Sequence, residues 1–366
     1  MKHTARRLLL GALIALASTG TAAVVADRLV ALRGLDRERI ALSLYTQQAY
    51  TPVHEVSEDP VLHYELRAGA RMVGTGKYGP YQISINQHRA RGPAHPVEKA
   101  PGVFRILCFG PSSTFGADVD DAEAIPARLE AWLSERSGPE GPDIEVWNFG
   151  TSAYVPIQSA HLARKKLGAL DPDMVLMIFN NGGRRAFLPP EQGPWDPMPW
   201  FQADPLLWEE NLPSPDPRLR DLHPHLLRAS AFYRYAIAWL VLDRRITLHP
   251  DQTRPLVHAT TTALMAQADQ AGVDLVVVSW HQENQGNFPG LAAADHIPVF
   301  PTARNVFDAH PPPSVLDQIA ARIGSSLVAA GRIPGLSAEG VVPLTVEVDD
   351  RTMSGQSFAP RERGVD

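Results

Sequence analysis

The chain has 366 residues, of which 44% are hydrophobic and 20% charged, enough apolar material for one large domain or two smaller ones. The formal net charge is −6 with both signs interspersed, so the composition gives no sign of the basic surface that nucleic-acid binding needs, and no nucleic-acid partner is expected. The single cysteine, Cys108, excludes an intramolecular disulfide and falls in a predicted strand, where a core thiol is expected.

The N-terminus combines a basic start with an uncharged run. The basic residues are Lys2, Arg6 and Arg7, and residues 8–26, which follow them, carry no charge. This pattern is typical of an export signal, and the run approaches the roughly 20 residues that span a bilayer. Residues 1–34 are therefore predicted to be a signal anchor or a cleaved signal peptide. The anchor would contact the membrane through residues 8–26 and leave the exported chain on the inner membrane, facing the periplasm or the cell exterior.

Residues 35–103 are predicted to form a β-rich leader and a linker, since short alternating patterns replace helical ones. Residues 74–79 match G-x-G-x-x-G, but Pro80 and a strand pattern follow instead of the helix that a dinucleotide site requires. A glycine-rich β-turn is predicted here, and the sequence indicates no cofactor.

From residue 104 onward, predicted strands alternate with predicted helices, which is typical of a parallel, doubly wound sheet. The predicted strands cover residues 104–110, 144–150, 173–179 and 274–279. The predicted helices cover residues 123–134, 156–167, 219–245, 255–270 and 314–331. The expected fold is therefore an α/β domain over residues 104–331, followed by a tail at 332–366.

A proline-rich segment at residues 187–218 interrupts the alternation. It contains three tryptophans, which favour an ordered flap over a disordered loop: Trp195, Trp200 and Trp208. The nearby His223 and His225 are too few to form a metal site and are predicted to be surface residues, so no metal is expected.

Polar motifs follow the ends of the predicted strands. Ser112 follows the first strand, Gly150 the second and Asn180–Asn181 the third, while His310 precedes the last helix. The carboxyl ends of parallel strands meet at one edge of a sheet, where ligands bind. A hydroxyl and an imidazole at that edge indicate nucleophilic catalysis, although G-x-S-x-G, H-E-x-x-H and C-x-x-C are all absent from the sequence.

These motifs resemble those of the SGNH/GDSL hydrolase family over about residues 104–331. Residues 105–116 are similar to its first block, residues 148–150 to its second, and residues 308–311 to its last. Upstream, residues 85–93 resemble the β-rich leader of exported bacterial members. The resemblance implies a flavodoxin-like three-layer sandwich and an esterase, lipase or carbohydrate acetyl-esterase.

The resemblance also implies a role for each site residue. Ser112 would be the nucleophile, His310 the base and Asp308 the acid that orients it. The N–H groups of Ser112 and Gly150 would hold the oxyanion, together with the side chain of an asparagine: Asn180 or Asn181. The substrate would be a small molecule, a lipid or an acylated glycan with an ester-linked acyl group.

Three departures from the family pattern keep alternatives open. Pro111 stands where the family has aspartate, Asn180–Gly183 replaces Gly-x-Asn-Asp, and Asp308 lies two residues before His310 instead of three. A degenerate domain that binds or scaffolds is therefore one alternative, and an O-acetyltransferase with the same site is another. His281 is the reserve base.

Overall fold

The structure is a computed structural model. It describes residues 2–35, 52–59, 61–62, 64–152, 154–179, 217–219, 222–240, 250–280, 287–300 and 310–346. The chain divides into two compact units, the first comprising residues 1–49, 56–63 and 185–248 and the second residues 50–55, 64–184 and 249–366. The boundaries predicted at residues 34, 103 and 331 stay predictions.

The strands within the described residues are β1 (His54–Val56), β2 (Tyr64–Leu66), β3 (Arg71–Gly76), β4 (Gly79–Ser84), β5 (Val103–Phe109), β6 (Asp143–Asn148), β7 (Met174–Phe179), β8 (Asp274–Ser279) and β9 (His296–Pro298). The helices are α1 (Lys2–Arg33), α2 (Ser112–Phe115), α3 (Ile125–Ser137), α4 (Pro156–Leu170), α5 (His223–Ala229), α6 (Ala231–Leu240), α7 (Pro250–Ala271) and α8 (Pro313–Ala329). Short 3-10 turns cover Asp121–Glu123, Pro217–Leu219 and Ala293–Asp295.

The predicted parallel sheet is confirmed. Five strands pair in the order β6-β5-β7-β8-β9, and every pairing between neighbours is parallel. This is the flavodoxin-like order, and folds of this order bind ligands outside the carboxyl ends of their strands, in the crevice next to the first strand. Ser112 follows β5 directly, so the chain places it at that crevice.

Helices cover both faces of the sheet, as the α/β prediction requires. One face, which carries Ile106, Cys108 and Ile178, packs against α3 and α8. The other face packs against α4 and α7. Cys108 is fully buried, and burial raises the pKa of its thiol, which agrees with the predicted core role.

The glycine-rich segment at residues 74–79 contains a turn, as predicted, and this turn joins the two strands of a β-hairpin. Strands β3 and β4 pair antiparallel, with Gly76 opposite Gly79 and a two-residue loop of Lys77 and Tyr78 between them. The positive φ of 124° at Gly79 explains the glycine there, since this conformation is rarely open to other residues.

Two predictions about secondary structure between residues 219 and 303 are wrong. The sequence pattern predicts a loop over residues 284–303, but the described part of this segment, residues 287–300, contributes β9 to the edge of the sheet. The single helix expected over residues 219–245 is instead α5 and α6, separated at Ser230, whose backbone is extended. Asp27 of α1 explains the break, because its Oδ1 accepts hydrogen bonds from Ser230 Oγ (2.6 Å) and Phe232 N–H (2.9 Å) at the start of α6.

The histidines at the start of α5 differ from one another. His225 is exposed, as predicted, but the prediction of a surface residue is wrong for His223. His223 is fully buried, with its Nδ1 2.8 Å from the hydroxyl of Tyr233 on α6. The phenol supplies the polar partner that a buried imidazole requires.

The uncharged N-terminal run is helical, and α1 extends over it. Among the described residues, no helix combines the length and the apolar character that a bilayer crossing needs, in contrast to the span predicted for residues 8–26. The three tryptophans of the predicted flap, and the C-terminal tail beyond residue 346, lie outside the described residues. The apolar run at residues 341–348 predicts a short strand-like segment, but its described part, residues 341–346, contains no strand.

Arg105 on β5 joins the linker to the sheet. Its guanidinium pairs with Glu145 (2.8 Å) and donates to the carbonyls of Pro96 (2.8 Å), Val97 (2.7 Å) and Leu170 (2.6 Å). The side chain is completely buried. Every one of these partners would lose its donor if the guanidinium were removed.

We therefore expect Arg105→Ala to lower the free energy of unfolding by about 3–5 kcal/mol, the usual cost of breaking a buried ion pair. Urea denaturation measures this change. The matched control is Arg128→Ala, which removes the partly exposed pair with Asp317 and should cost less than about 1 kcal/mol. Equal losses in the two variants would contradict the role assigned to Arg105.

Candidate active site

Ser112 is fixed by the way α2 is seated between the ends of two strands. A side chain at Gly110 would collide with the carbonyl oxygen of Ile178 and with Thr114 Oγ1. Thr114 Oγ1 also donates a hydrogen bond to that carbonyl (3.0 Å). Since Gly110 directly follows β5 and Ile178 lies on β7, these contacts hold the first turn of α2 at the carboxyl ends of the two strands.

The structure brings Ser112 and His310 together. His310 Nε2 lies 2.7 Å from Ser112 Oγ, although the two residues are 198 positions apart in the chain. Both side chains are half-buried, so the pair can be reached from solvent. With the imidazole proton on Nδ1, the hydroxyl donates to Nε2, which is the arrangement of a nucleophile and its base.

Pro111 fits as the residue that precedes α2. Its backbone is extended (φ −79°, ψ −157°), and its carbonyl accepts hydrogen bonds from Thr114 N–H (3.0 Å) and Phe115 N–H (2.9 Å). Proline has no N–H to offer to a substrate. The N–H groups of Ser112 and Ser113, in the first turn, have no acceptor inside the helix.

Gly150 lies against α2, where the sequence places it, but its N–H has a partner. A side chain at this position would collide with the backbone nitrogen of Phe115. The Gly150 N–H donates to Asn148 Oδ1 (2.9 Å), and Asn148 Nδ2 donates to the carbonyl of Phe115 (3.3 Å). Asn148 thus closes a turn at the end of β6, and the oxyanion role of Gly150 stays a prediction.

Four of the predicted site residues lie outside the described residues: Asp308, Asn180, Asn181 and the reserve base His281. Their roles stay predictions. In the described part of the chain, no three histidine, cysteine or carboxylate side chains converge as a metal site would require.

The sequence did not reveal the role of Arg91, which holds the segment that follows Ser112. Its side chain is 1% exposed, pairs with Asp121 (2.8 Å), and donates to the carbonyls of Phe115 (2.7 Å) and Val119 (2.6 Å) and to that of Gly116. Burial lowers the pKa of the Arg91 guanidinium, and the hydrogen bond to Asp121 opposes that shift.

The loop before Arg91 explains how the arginine reaches this place. Asn86 Oδ1 accepts from the N–H groups of His88 (2.9 Å) and Ala90 (3.1 Å), which closes the turn typical of asparagine. Arg91 N–H then donates to the carbonyl of Asn148 (2.8 Å) at the end of β6. The only sequence signal for these contacts of Arg91 is the resemblance of residues 85–93 to the leader of exported SGNH members.

Two tyrosines hold the loop that follows Gly150. Tyr64 of β2 donates through its hydroxyl to the carbonyl of Ser152 (2.8 Å). Tyr154 donates in return to the carbonyl of Tyr64, and the two rings meet edge to face at 5.2 Å. The leader therefore contacts this loop as well as α2.

His54 of β1 completes the packing around α2. It is fully buried, with its ring 5.9 Å from that of Tyr64 and 5.8 Å from that of Phe115, the last residue of α2. Burial lowers the pKa of His54 to about 3, and the charge of Arg67 acts in the same direction. The imidazole is therefore neutral near pH 7.

Comparisons with known proteins add no family assignment. No protein-family model matches the chain, and neither does any curated protein. Solved structures that match include TesA, which is 16% identical over 62% of this chain and 99% of TesA, with a TM-score of 0.24. LAE5, an alpha/beta hydrolase enzyme from the metagenome of Lake Arreo, Spain, is 16% identical over 64% of this chain and 98% of LAE5, with a TM-score of 0.25. A mutant of the esterase AlinE4 is 16% identical over 49% of this chain and 77% of the esterase, with a TM-score of 0.22. These TM-scores are too low to bear on the fold or the activity.

His54 gives a prediction for stability against pH. Because its pKa is about 3 in the folded chain and about 6.5 in the unfolded one, the unfolded chain binds the extra proton between these values. The stabilisation of the folded chain by neutral His54 is therefore complete above about pH 6.5 and is lost as the pH falls toward 3. We expect the stability difference between the wild type and His54→Gln to shrink between pH 7.5 and pH 4.5 in urea denaturation.

His95 supplies a control of opposite sign. The hydrogen bond to Glu130, 3.3 Å away, raises the pKa of His95. The stabilisation of the folded chain by protonated His95 is therefore complete below the ordinary histidine pKa and is lost as the pH rises through the raised pKa. The stability difference between the wild type and His95→Gln should grow on acidification from pH 8 to pH 5.5. Parallel trends for the two variants would contradict the assignment of His54 as a buried neutral group.

Proposed function

We propose that the protein is a serine esterase or deacylase that cleaves an ester-linked acyl group, with Ser112 as nucleophile and His310 as general base. The observation that carries the proposal is the 2.7 Å distance between Ser112 Oγ and His310 Nε2 at the carboxyl edge of the sheet. Hydroxyl and imidazole at this spacing are the minimum that acyl transfer through a serine requires.

The reaction follows from this pair. As Ser112 Oγ attacks the ester carbonyl, His310 Nε2 takes the hydroxyl proton and later gives it to the leaving alcohol. Water, deprotonated by the same nitrogen, then releases the acyl group from Ser112. Asp308 is proposed to hold the Nδ1 side of the imidazole, which would keep Nε2 free of a proton before the attack.

Stabilisation of the oxyanion is proposed to begin with the Ser112 N–H, in the first turn of α2. One donor of this kind is worth roughly 3 kcal/mol of the barrier. Gly150 would join it only after Asn148 Oδ1 releases the Gly150 N–H, so Asn148 would have to turn in the complex with substrate. Asn180 or Asn181 is proposed as the side-chain donor.

The export signal predicted for residues 1–34 suggests a substrate outside the cytoplasm, and we propose an acylated glycan or a lipid. The same pair could instead pass the acyl group from Ser112 to a sugar hydroxyl, as an O-acetyltransferase does. Hydrolysis and transfer differ only in whether water or an alcohol accepts the acyl group.

A second candidate is a non-catalytic domain that binds or scaffolds. Two observations favour it: the Gly150 N–H is engaged by Asn148, and Pro111 has no N–H near the nucleophile. Under this candidate, the contact between Ser112 and His310 would only stabilise the fold.

We expect Ser112→Ala to lower the hydrolysis of short-chain p-nitrophenyl esters at least about 1000-fold, as loss of a serine nucleophile does in hydrolases. Removing the base in His310→Gln should cause a loss of similar size, since the two groups act as a unit. The measurement is kcat/KM, with circular dichroism to confirm that both variants fold.

Ser113→Ala is the matched control. Ser113 follows Ser112 in the same turn, but its side chain is buried, and its Oγ has no hydrogen-bond partner in the described part of the chain. Its loss should leave kcat/KM within severalfold of the wild type. Equal rates for the wild type and Ser112→Ala would reject the esterase. Acyl transfer to an added glycan, seen by product analysis, would point to the transferase.

A further inference from the structure

The hairpin of β3 and β4 reaches the residue that carries the proposed base. Tyr78, in the two-residue loop of the hairpin, donates through its hydroxyl to the backbone carbonyl of His310 at 2.7 Å. The two residues are separated by 232 positions in the chain. This hydrogen bond therefore joins the leader directly to the proposed catalytic pair.

The phenol ring of Tyr78 is held on the protein. It is partly buried and packs against the cluster formed by the sheet, α3 and α8. Lys77 Nζ lies 5.1 Å from the centre of the same ring. A ring fixed in this way can present its hydroxyl at a defined point, which a mobile side chain could not do.

The backbone that follows His310 makes such an external donor useful. Three prolines follow His310 and lead into α8: Pro311, Pro312 and Pro313. None of them has an N–H that could donate to the carbonyl of His310. Their restricted φ angles also make the connection stiff. A displacement of the His310 carbonyl would consequently move the whole residue, imidazole included, relative to Ser112.

The same hairpin is tied to the segment that follows Ser112. The N–H groups of Gln82 and Ser84 on β4 donate to the carboxylates of Asp120 (2.6 Å) and Asp121 (3.1 Å). On β3, a side chain at Gly76 would come within 2.7 Å of Asp118 Cβ. The free edge of β4, together with Gly76, thus contacts the chain after the proposed nucleophile, while the tip of the hairpin contacts the residue of the proposed base.

We propose that Tyr78 is a positioning residue, and that the β3–β4 hairpin braces His310 against Ser112. This inference rests on the proposed function, because positioning has a catalytic consequence only if Ser112 and His310 react. Without the Tyr78 hydroxyl, the imidazole loses one of its anchors, and a misplacement near 1 Å can cost about 100-fold in rate.

The test is Tyr78→Phe in the full-length protein, with ester hydrolysis measured as kcat and KM separately. We expect kcat to fall about 10- to 100-fold and KM to stay within about twofold, since the hydroxyl touches the base and not the substrate. The labelling rate of Ser112 by a fluorophosphonate should fall in parallel.

Tyr81→Phe is the matched control, because Tyr81 lies on β4 of the same hairpin and packs against the neighbouring cluster that includes Ile83 and Ile85. It should keep the wild-type kcat and labelling rate. If Tyr78→Phe keeps the wild-type kcat, or if both variants lose kcat equally, the positioning role is overturned.

The imidazole nitrogens of His310, observed by 15N NMR, separate failure of this inference from failure of the proposed function. The Nε2 resonance should shift in Tyr78→Phe and stay in place in Tyr81→Phe. If the Nε2 resonance shifts in Tyr78→Phe, but the wild-type protein neither hydrolyses esters nor reacts with the fluorophosphonate, the esterase is rejected and the positioning role of Tyr78 stands. If the wild type hydrolyses esters, but the Nε2 resonance is the same in the wild type, Tyr78→Phe and Tyr81→Phe, the positioning role of Tyr78 is rejected and the esterase stands.

Discussion

The close approach of Gly110 to the carbonyl of Ile178 is the constraint on which the site depends. Because no side chain fits at residue 110, α2 can begin against the ends of β5 and β7, and Thr114 secures it there through its hydrogen bond to Ile178. This seating places Ser112 at the carboxyl edge of the sheet, where ligands bind in open α/β folds. The distance to His310 Nε2 then depends on how the last segment before α8 is held.

The leader supplies much of what holds the carboxyl edge of the sheet in place. Arg91 binds the carbonyls at the end of α2, and Tyr64 binds the loop after Gly150. Tyr78 does the same for the carbonyl of His310. These three contacts come from separate parts of the leader and reach three separate segments of the α/β domain, which makes the leader a support of the candidate site rather than a spacer before it.

Local sequence patterns were enough to predict β5, β6, β7 and β8, because each is a short apolar run with a polar or glycine boundary. They were not enough for β9, whose three residues are defined by pairing with β8. The break between α5 and α6 depends on Asp27, about 200 residues away. In both cases the deciding interaction is distant in the chain, so no local window contains it.

The same distinction applies to the site. Ser112, Gly150 and His310 could be predicted as site residues because each lies in a short motif similar to one of the SGNH/GDSL family, and the structure brings Ser112 and His310 into contact. Arg91 and Tyr78 could not be predicted, since most of the groups that Arg91 binds and the group that Tyr78 binds here are backbone carbonyls, which leave no mark on the sequence. The most direct test of Ser112 as a nucleophile activated by His310 is mass spectrometry of the protein after reaction with a fluorophosphonate. We expect one adduct, on Ser112, that is lost in His310→Gln. No adduct on Ser112, or an equal adduct in both proteins, would contradict this mechanism.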